Sequence, residues 1–343
     1  MIKKNELLKK AFIIAEVGQN HQGSLEIAKK YIRKFSDTGA DAIKFQTRNN
    51  KHLFSECAYN KEYNSENAFA DIYGHHRENL ELDPNSLHEL KDYCHKYGVK
   101  FMSTPFDEPS LDLLCNVGVD LIKVASFDIG NLPFLNKIAS KGIPTVVSIG
   151  GGKISQIRDS VKILRDSLDE VAVLHCVSEY PCEVNRLGLS NLEDLAEEFP
   201  DCVIGLSDHF NGVITGPIGY MKGARVFEKH VTLNRSWKGT DHSFSLSQHG
   251  FRNFVRDIRR VPQMMPQKPA DQLGFESVFN KLGKSLVASC DLKKGDALNL
   301  ENLSGKIFGQ QHIPVRESNK VIGKKLNVSK KEGELIEFKD LSD

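Results

Sequence analysis

The sequence predicts a (β/α)8 barrel followed by a small β-rich domain. Three observations support this prediction: short apolar runs alternate with amphipathic stretches, each apolar run ends in polar residues, and the pattern changes near residue 283. Short β-branched runs are typical of strands buried on both faces of a parallel sheet. The 343 residues are sufficient for a barrel of about 250 residues and a second module.

The first two strands are predicted at Phe12–Glu16 and at residues 41–45, with a helix between them that begins after Ser24 as its N-cap. Residues 47–84 then interrupt the repeat with a stretch rich in Asn, Tyr and His that has no clear period. A long insertion on a regular scaffold is typical of a functional loop.

From residue 86 the alternation of helix and strand resumes and continues to residue 230. The predicted helices are 86–97, 107–116, 132–141, 155–168 and 189–199, and the strands that follow them are 99–103, 120–124, 144–148, 171–176 and the run that ends at His209. A crossover helix within 211–223 leads to the eighth strand, which ends at His230, and a helix over 248–260 closes the barrel. The alternative is an open doubly wound sheet, whose Gly-rich phosphate turn is not matched by Gly18 and Gly23.

The predicted domain boundaries are 1–262 for the barrel, 263–282 for a linker and 283–343 for the small domain. Three prolines within Val261–Pro269 favour a linker. After residue 283, short β-like runs such as Ser285–Ala288 and Glu334–Phe338 alternate with Lys-Gly, Glu-Gly and Ile-Gly turns. About 60 residues is a marginal size for independent stability, so we expect this domain to dock against something.

Composition excludes several classes of protein. A net charge of +1 with 27% charged residues gives no basic excess for nucleic acid and no acidic excess for disorder. The seven cysteines are scattered without a CxxC pair, which fits a reducing compartment and argues against a disulfide scaffold or a structural zinc site. Since no signal peptide or apolar run of about 18 residues is found, we expect a cytoplasmic protein without a membrane span.

Two histidines at the ends of adjacent strands are the first candidate site. A single His at a strand end is more often a hydrogen-bonded core or rim residue than a metal ligand. His209 and His230 stand at matching positions, however, beside Asp208 and Glu228. This pair favours a divalent metal site with open coordination positions.

Two lysines at strand ends are the second candidate site. Lys44 and Lys123 among hydroxyl side chains predict a pocket for a phosphate and a carboxylate together. There are two alternatives to this anion pocket. Each lysine could extend its ammonium to solvent at the rim of the barrel, or one of them could form a Schiff base with a substrate. The other candidate residues at this end of the strands are Glu16, Gln46, Thr104, Ser126, Asp128, Ser148, Ser178, Tyr180, Ser207 and Asp241. No Ser-His-Asp or Cys-His arrangement is found, which argues against acyl transfer.

Several motifs in order make the chain similar to a known family. They are Ile13–Gly23, Lys44–Gln46, Tyr73–Arg77, Lys123–Ser126, Gly205–His209, Glu228–His230 and Trp237–Ser243. The sequence resembles the sialic acid (N-acetylneuraminate) synthase family over essentially its whole length and is closest to the animal-type branch. Its C-terminal part resembles the antifreeze-like (SAF) domain of that family.

The resemblance implies condensation of phosphoenolpyruvate with an open-chain N-acetylmannosamine-type aldose, giving a sialic acid or related nonulosonic acid and phosphate. It implies that His209 and His230 bind a divalent metal, typically manganese, with magnesium or cobalt as alternatives. It also implies a homodimer in which one small domain caps the barrel of its partner. The roles that it implies are phosphoenolpyruvate binding for Lys44, Thr104, Lys123, Ser126, Ser148, Ser178 and Ser207, sugar contact for Gln46 and Tyr180, and catalysis for Glu16, Asp128 and Asp241.

Departures from the bacterial pattern leave the acceptor sugar open. Asp128 replaces a Glu, Ser178 replaces an Asn, and Ile307 stands where bacterial members carry an Arg that contacts the N-acetyl group. The acceptor alternatives are N-acetylmannosamine, its 6-phosphate, mannose-type sugars and a diamino sugar for a legionaminate-like product. The other functional alternatives are a metal-dependent barrel hydrolase and a non-enzymatic ice- or carbohydrate-binding role.

Overall fold

The computed structural model describes residues 2–7, 10–273 and 276–342, and its main feature is a closed barrel of eight parallel strands in sequence order. The strands are β1 Phe12–Gly18, β2 Ala42–Thr47, β3 Lys100–Pro105, β4 Leu121–Val124, β5 Thr145–Ser148, β6 Val171–Cys176, β7 Val203–Asp208 and β8 Val226–His230. The predicted barrel is therefore confirmed. By its contacts the chain divides into two compact units, Met1–Met265 and Pro266–Asp343.

The helices that follow the strands form the outer layer of the barrel, while short helices also precede β1 and lie in the insertion after β2. They are α1 Lys4–Leu7, α2 Leu25–Ser36, α3 Asn50–Leu53, α4 Glu56–Tyr59, α5 Tyr73–Glu78, α6 Pro84–Lys96, α7 Glu108–Val117, α8 Leu132–Ala139, α9 Ile154–Ser167, α10 Asn191–Glu198, α11 Thr215–Met221 and α12 Gln248–Met264. The predicted N-cap is confirmed, because Ser24 Oγ accepts a hydrogen bond from Ile27 N at 3.3 Å. Helix α12 continues through Pro262 to Met264 and therefore ends four residues later than predicted.

The alternation of side chains along each strand divides the barrel into an apolar base and a polar mouth. Phe12 and Ile14 of β1 point inward and pack with residues such as Met102, while Ile13 and Ala15 pack in the outer cluster against the helices. Ile2 and Leu7, at the two ends of the N-terminal segment, belong to the same inner cluster. Because the inner positions near the carboxyl ends are polar, the charged groups lie above the apolar base of the barrel.

The insertion at residues 47–84 is more ordered than the sequence indicated. It contains the short helices α3, α4 and α5, and Asn49 caps the first of them by accepting from His52 N at 3.2 Å. Gly74 lies against the ring of Tyr59, where a Cβ atom would stand 2.4 Å from ring carbons. Helices of one or two turns leave no periodic pattern, which explains why the sequence did not predict them.

The second unit is small and β-rich, consistent with the predicted SAF-like domain. Strand β9 (Ser285–Ala288) pairs antiparallel with β10 (Leu303–Lys306), and β11 (Lys325–Leu326) pairs with β12 (Leu341–Ser342). A short helix, α13, spans Ser277–Leu282. The predicted run at Glu334–Phe338 makes one isolated bridge rather than a strand. Its apolar side chain Ile336 is buried in the core of this unit.

Two further expectations concern the whole chain. Within the described ranges, no helix is long and apolar enough to cross a bilayer. None of the seven cysteines, all of which the structure describes, takes part in a disulfide bond.

Candidate active site

The polar ends of the strands meet in a cavity of about 430 Å³ at the carboxyl-terminal mouth of the barrel. This volume lies within the range of small-molecule sites. All but two of the predicted site residues line it: Glu16, Lys44, Gln46, Thr104, Lys123, Ser126, Ser148, Tyr180, Ser207, His209, His230 and Asp241. Residues from all eight strands or the loops after them therefore face one space.

Asp128 and Ser178 do not line this cavity. Asp128 ends a single turn after β4 and accepts a hydrogen bond from Asn131 Nδ2 at 2.9 Å. Ser178 lines a neighbouring depression, although its Oγ lies 4.0 Å from Sγ of Cys176, which does line the cavity. Their roles in the reaction stay predictions.

One ammonium and two carboxylates form the buried floor of the cavity. Lys44 Nζ lies 2.8 Å from Glu16 Oε2 and 3.6 Å from Glu228 Oε1, and Lys44 and Glu16 are only 3% and 1% exposed. Burial alone would lower the pKa of Lys44, but the two carboxylate charges outweigh it and raise that pKa. Burial raises the pKa of Glu16 to about 6, opposed by Lys44.

Lys123 provides a second ammonium with different surroundings. Its Nζ donates to the carbonyl oxygen of Val124 at 3.0 Å, and it has no ion-pair partner in the part of the chain that the structure describes. Burial lowers its pKa, with Glu228 opposing the shift. A buried ammonium with one backbone partner retains two donors for an anion.

Hydroxyl groups stand beside the two lysines. Ser126 Oγ accepts from Gly150 N at 3.0 Å, and Ser207 Oγ donates to Glu228 Oε1 at 3.2 Å. The hydroxyl of Ser148 is buried and has no hydrogen-bond partner among the described residues. Since an unpaired buried hydroxyl is costly, this group indicates where a polar ligand would bind.

The two imidazoles lie together at one side of the cavity, with ring centroids 5.4 Å apart. His209 Nδ1 lies 2.8 Å from the carbonyl oxygen of Val177. A hydrogen bond donated from Nδ1 to this oxygen orients the ring and leaves the lone pair of Nε2 for a metal. His230 Nδ1 is buried without a hydrogen bond and lies 3.7 Å from Asp241 Oδ2. Burial lowers the pKa of His230 to about 3, so the ring is the neutral form that binds metals.

These two nitrogens fit two ligand positions of a divalent cation. No cluster of three or more His, Cys, Asp or Glu suited to a metal occurs in the described parts of the chain. A cation held by these two nitrogens alone would keep positions for water or substrate oxygens, as a catalytic rather than a structural site does. Asp208 is not a neighbour of the imidazoles, because it faces the outer layer and accepts from Lys229 Nζ at 2.5 Å and from Thr215 Oγ1.

Three charged residues of the cavity were given no role from the sequence: Glu228, Arg48 and Arg77. Glu228 precedes His230 by two residues on β8, so the alternation of side chains would have placed it in the barrel. Register supports this placement, because Glu228 pairs with Ser207 on β7. Arg48 directly follows β2, and Arg77 belongs to the insertion, whose sequence carries no period from which its position could be read.

Comparison with known proteins gives consistent results. The family model described as the NeuB family matches residues 31–269. The N-acetylneuraminate-9-phosphate synthase of Homo sapiens is 34% identical over 95% of this chain and 91% of its own length. The N,N'-diacetyllegionaminic acid synthase of Campylobacter jejuni is also 34% identical, over 96% of this chain and 99% of its own. The crystal structure of the N-acetylneuraminic acid synthetase of Leptospira borgpetersenii has a TM-score of 0.68 and 29% identity, and the match covers 80% of this chain and 92% of that one.

Proposed function

The chain belongs to the NeuB family of sialic acid synthases, and on this premise we propose that it condenses phosphoenolpyruvate with an open-chain N-acetylmannosamine-type aldose. The products are a sialic acid or a related nonulosonic acid and inorganic phosphate. One observation carries the proposal: two buried lysines, an unpaired serine hydroxyl and two neighbouring imidazoles face the same cavity of about 430 Å³. This arrangement supports an anion site and a cation site close enough for two small substrates to meet.

Phosphoenolpyruvate binds at the lysines. Lys44 and Lys123 supply ammonium donors for its phosphate and carboxylate, and hydroxyl groups supply neutral donors. The hydroxyls are those of Thr104, Ser126, Ser148 and Ser207, with Ser178 as a further candidate. Lys123 is the ammonium with unused donors, whereas Lys44 also holds Glu16 and Glu228 in place.

The acceptor binds on the imidazole side. His209 and His230 would hold a divalent ion, manganese by resemblance with magnesium or cobalt as alternatives, and its charge would polarise the acceptor aldehyde. Tyr180 lies beside them, with its ring centroid 4.1 Å from that of His209, and Gln46 faces the same space. Both side chains can orient the sugar.

The charges of the cavity favour a cation at the imidazoles. Three carboxylates, those of Glu16, Glu228 and Asp241, share the cavity with four basic side chains, those of Lys44, Lys123, Arg48 and Arg77, and phosphoenolpyruvate adds further negative charge. The neutral ring of His230 contributes no positive charge of its own. A divalent cation at the imidazoles would pair with Asp241, whose Oδ2 lies 3.7 Å from His230 Nδ1, because a buried charge is stable only when it is paired.

Bond formation follows from this placement. The methylene carbon of phosphoenolpyruvate attacks the aldehyde carbon, and the aldehyde oxygen takes up a proton. The enol carbon then becomes electron-poor, water adds to it, and phosphate leaves to give the ketone of the product. Glu16 and Asp241 are the carboxylates that face this point and can stabilise positive charge and position water. Asp128 has the same role by resemblance.

The relatives differ in the product after which they are named, so they do not agree on the acceptor sugar. Relatives of similar identity are named as N-acetylneuraminate-9-phosphate and N,N'-diacetyllegionaminic acid synthases. An N-acetylmannosamine-type sugar is our first choice, and the acceptor of another 3-deoxy-2-ulosonic acid is the alternative.

The proposal is tested by phosphate release from phosphoenolpyruvate with manganese and a panel of hexosamines. We expect release that requires both the metal and the sugar. Release without any sugar would indicate a phosphatase, and no release with any acceptor would contradict the proposal. The same panel without phosphoenolpyruvate is the control.

We further propose a homodimer in which the small C-terminal domain of one chain caps the barrel of its partner. The resemblance implies this arrangement, and the small size of that domain gives an independent reason to expect docking. Light scattering at micromolar concentration should give twice the chain mass of 38.5 kDa. A monomer at that concentration would contradict the dimer.

A further inference from the structure

A buried ion pair lies behind the two imidazoles, on the outer face of the barrel wall. Lys229 Nζ is 2.5 Å from Asp208 Oδ2, and the two side chains are only 2% and 0% exposed. Asp208 is the residue before His209, and Lys229 is the residue before His230. Since neighbouring residues of a strand face opposite sides, each imidazole and the charge that precedes it share one strand end but lie on opposite faces. The proposed reaction uses neither of these charges.

The pair connects β7 to β8 at the level of the imidazoles. Asp208 and Lys229 are register partners in the parallel pairing of the two strands. On the cavity side, the ring centroids of His209 and His230 are 5.4 Å apart. The ion pair therefore restrains the backbone immediately before each imidazole.

Lys229 also holds the backbone on the other side of His209. Its Nζ donates to the carbonyl oxygen of Phe210, and Phe210 N donates to Asp208 Oδ1 at 2.9 Å. Thr215 Oγ1 donates to Asp208 Oδ2 and connects this carboxylate to α11. The residues before and after His209 are thus both bound to one side chain of β8.

Stability of the fold alone does not account for a charged pair at this place. The preceding outward-facing residues of these strands, Leu206 of β7 and Phe227 of β8, belong to the apolar outer cluster. The rings of Phe210 and Phe254 each have their centroid 5.9 Å from Lys229 Nζ. Replacing a buried ion pair with apolar residues of similar volume is often neutral or stabilising, because desolvation offsets the attraction of the charges. What a charged hydrogen bond adds over apolar contact is geometric specificity.

A cation held by two protein nitrogens needs those nitrogens in fixed relative positions, because metal–ligand distances are satisfied only within about 0.2 Å. His209 Nδ1 lies 2.8 Å from the carbonyl oxygen of Val177, which orients that ring. His230 Nδ1 has no hydrogen-bond partner among the described residues. The placement of the His230 ring therefore depends on packing and on the backbone of β8.

We propose that Asp208 and Lys229 are positioning residues of the metal site. Their ion pair, with the bond from Lys229 to Phe210, holds the ends of β7 and β8 so that the two imidazoles converge on one divalent cation. This inference rests on the metal role proposed for His209 and His230. Loss of an outer partner of a metal ligand typically costs about 10–100-fold in metal affinity, and we expect about tenfold here because the effect passes through the backbone.

The test measures manganese binding to the metal-free, full-length protein by calorimetry, without phosphoenolpyruvate. Lys229→Met leaves the Asp208 carboxylate buried without its cation, so it should lower both the manganese affinity and the urea midpoint of unfolding. Asp208→Leu combined with Lys229→Met removes both charges and should restore the urea midpoint nearly to that of the natural protein. The manganese affinity of this double variant should still be about tenfold weaker, because no side chain of β8 then binds the carbonyl of Phe210.

Two further variants separate positioning from stability. Asp41 accepts from Ile13 N and from Arg259 Nη2, both at 2.9 Å, and it directly precedes β2, at the opposite end of the barrel. Asp41→Leu should therefore lower the urea midpoint and leave the manganese affinity unchanged. Thr215→Val removes one donor to Asp208 and should weaken manganese binding by a smaller factor than the double variant does.

The outcomes distinguish this inference from the proposed function. A double variant that binds manganese as tightly as the natural protein would overturn the positioning role and leave the synthase function standing. An equal loss of affinity in Asp41→Leu would show that metal binding follows stability in general and would also overturn it. If neither charge variant folds, unchanged affinity in Thr215→Val would have the same consequence. A natural protein that binds no manganese would remove the metal role of His209 and His230, and the inference with it.

Discussion

The same substitution at the two buried lysines, Lys44 and Lys123, should have very unequal effects on the free energy of unfolding. Lys44→Met removes an ammonium that lies 2.8 Å and 3.6 Å from two carboxylates. Lys123→Met removes one whose hydrogen-bond partner is a backbone carbonyl. Both variants should lose phosphate release, because both lysines are proposed to bind phosphoenolpyruvate.

The magnitude follows from these contacts. At an effective dielectric constant of about 20, unit charges at 2.8 Å and 3.6 Å attract by about 6 and about 5 kcal/mol. The cost of burying the ions offsets most of this energy, yet removing one partner leaves buried charge uncompensated and typically costs about 3–5 kcal/mol. We therefore expect Lys44→Met to lose about 3–5 kcal/mol of unfolding free energy. Lys123→Met should change it by less than about 1 kcal/mol, because no buried carboxylate loses its ion pair.

The assay is urea unfolding at neutral pH in the presence of a chelator. Trp237 is the only tryptophan and lies in the barrel unit, so its fluorescence reports on that unit. Lys10→Met, at an exposed residue, is the matched control. Equal losses for Lys44→Met and Lys123→Met would refute the view that Lys44 alone neutralises the paired carboxylates.

Three other predictions concern the same site and its support. Since burial raises the pKa of Glu16 from 4.5 to about 6, the folded state binds that proton more tightly, and unfolding free energy should fall by about 2 kcal/mol as pH rises through this interval. Glu16→Gln should flatten this segment of the chelated protein's stability curve, and an unchanged curve would contradict the shift. His230→Ala should abolish phosphate release and weaken manganese binding measured by calorimetry while the fold is retained, with exposed His52→Ala as the control. Rates comparable to those of the natural protein would remove the metal role. Gly74→Ala should destabilise the insertion by about 1–3 kcal/mol, because its Cβ would contact the Tyr59 ring at 2.4 Å, and rapid proteolysis between residues 47 and 84 would report it. Resistance equal to that of the natural protein would show that the ring can move aside.

The barrel could be predicted because its strands are buried on both faces and its helices are amphipathic. Each pattern is local, so Val171–Cys176 was located to the residue. The same rule places polar residues at the carboxyl ends, and most of the predicted site residues do face one cavity.

The rest of the site depends on contacts that leave no local pattern. Arg77 reaches the cavity through the packing of α3, α4 and α5, which are too short for a detectable period, whereas Arg48 directly follows β2 and could have been placed by the rule for strand ends. Asp208 was set beside the imidazoles because it adjoins His209 in sequence, but neighbouring residues of a strand face opposite sides, and Asp208 pairs with Lys229 in the outer layer. Glu228 was named beside the imidazoles but given no role, and applying that alternation to β8 would have placed it in the cavity.

The measurement that tests the central claim most directly is mass spectrometry of the reaction product from carbon-13-labelled phosphoenolpyruvate, manganese and each acceptor of the panel. We predict a single sugar acid that carries all three labelled carbons joined to the intact acceptor and that does not form when the metal is chelated. Labelled pyruvate with an unchanged sugar would contradict the account, because it would show that the cavity cleaves the enol phosphate without joining carbon to carbon.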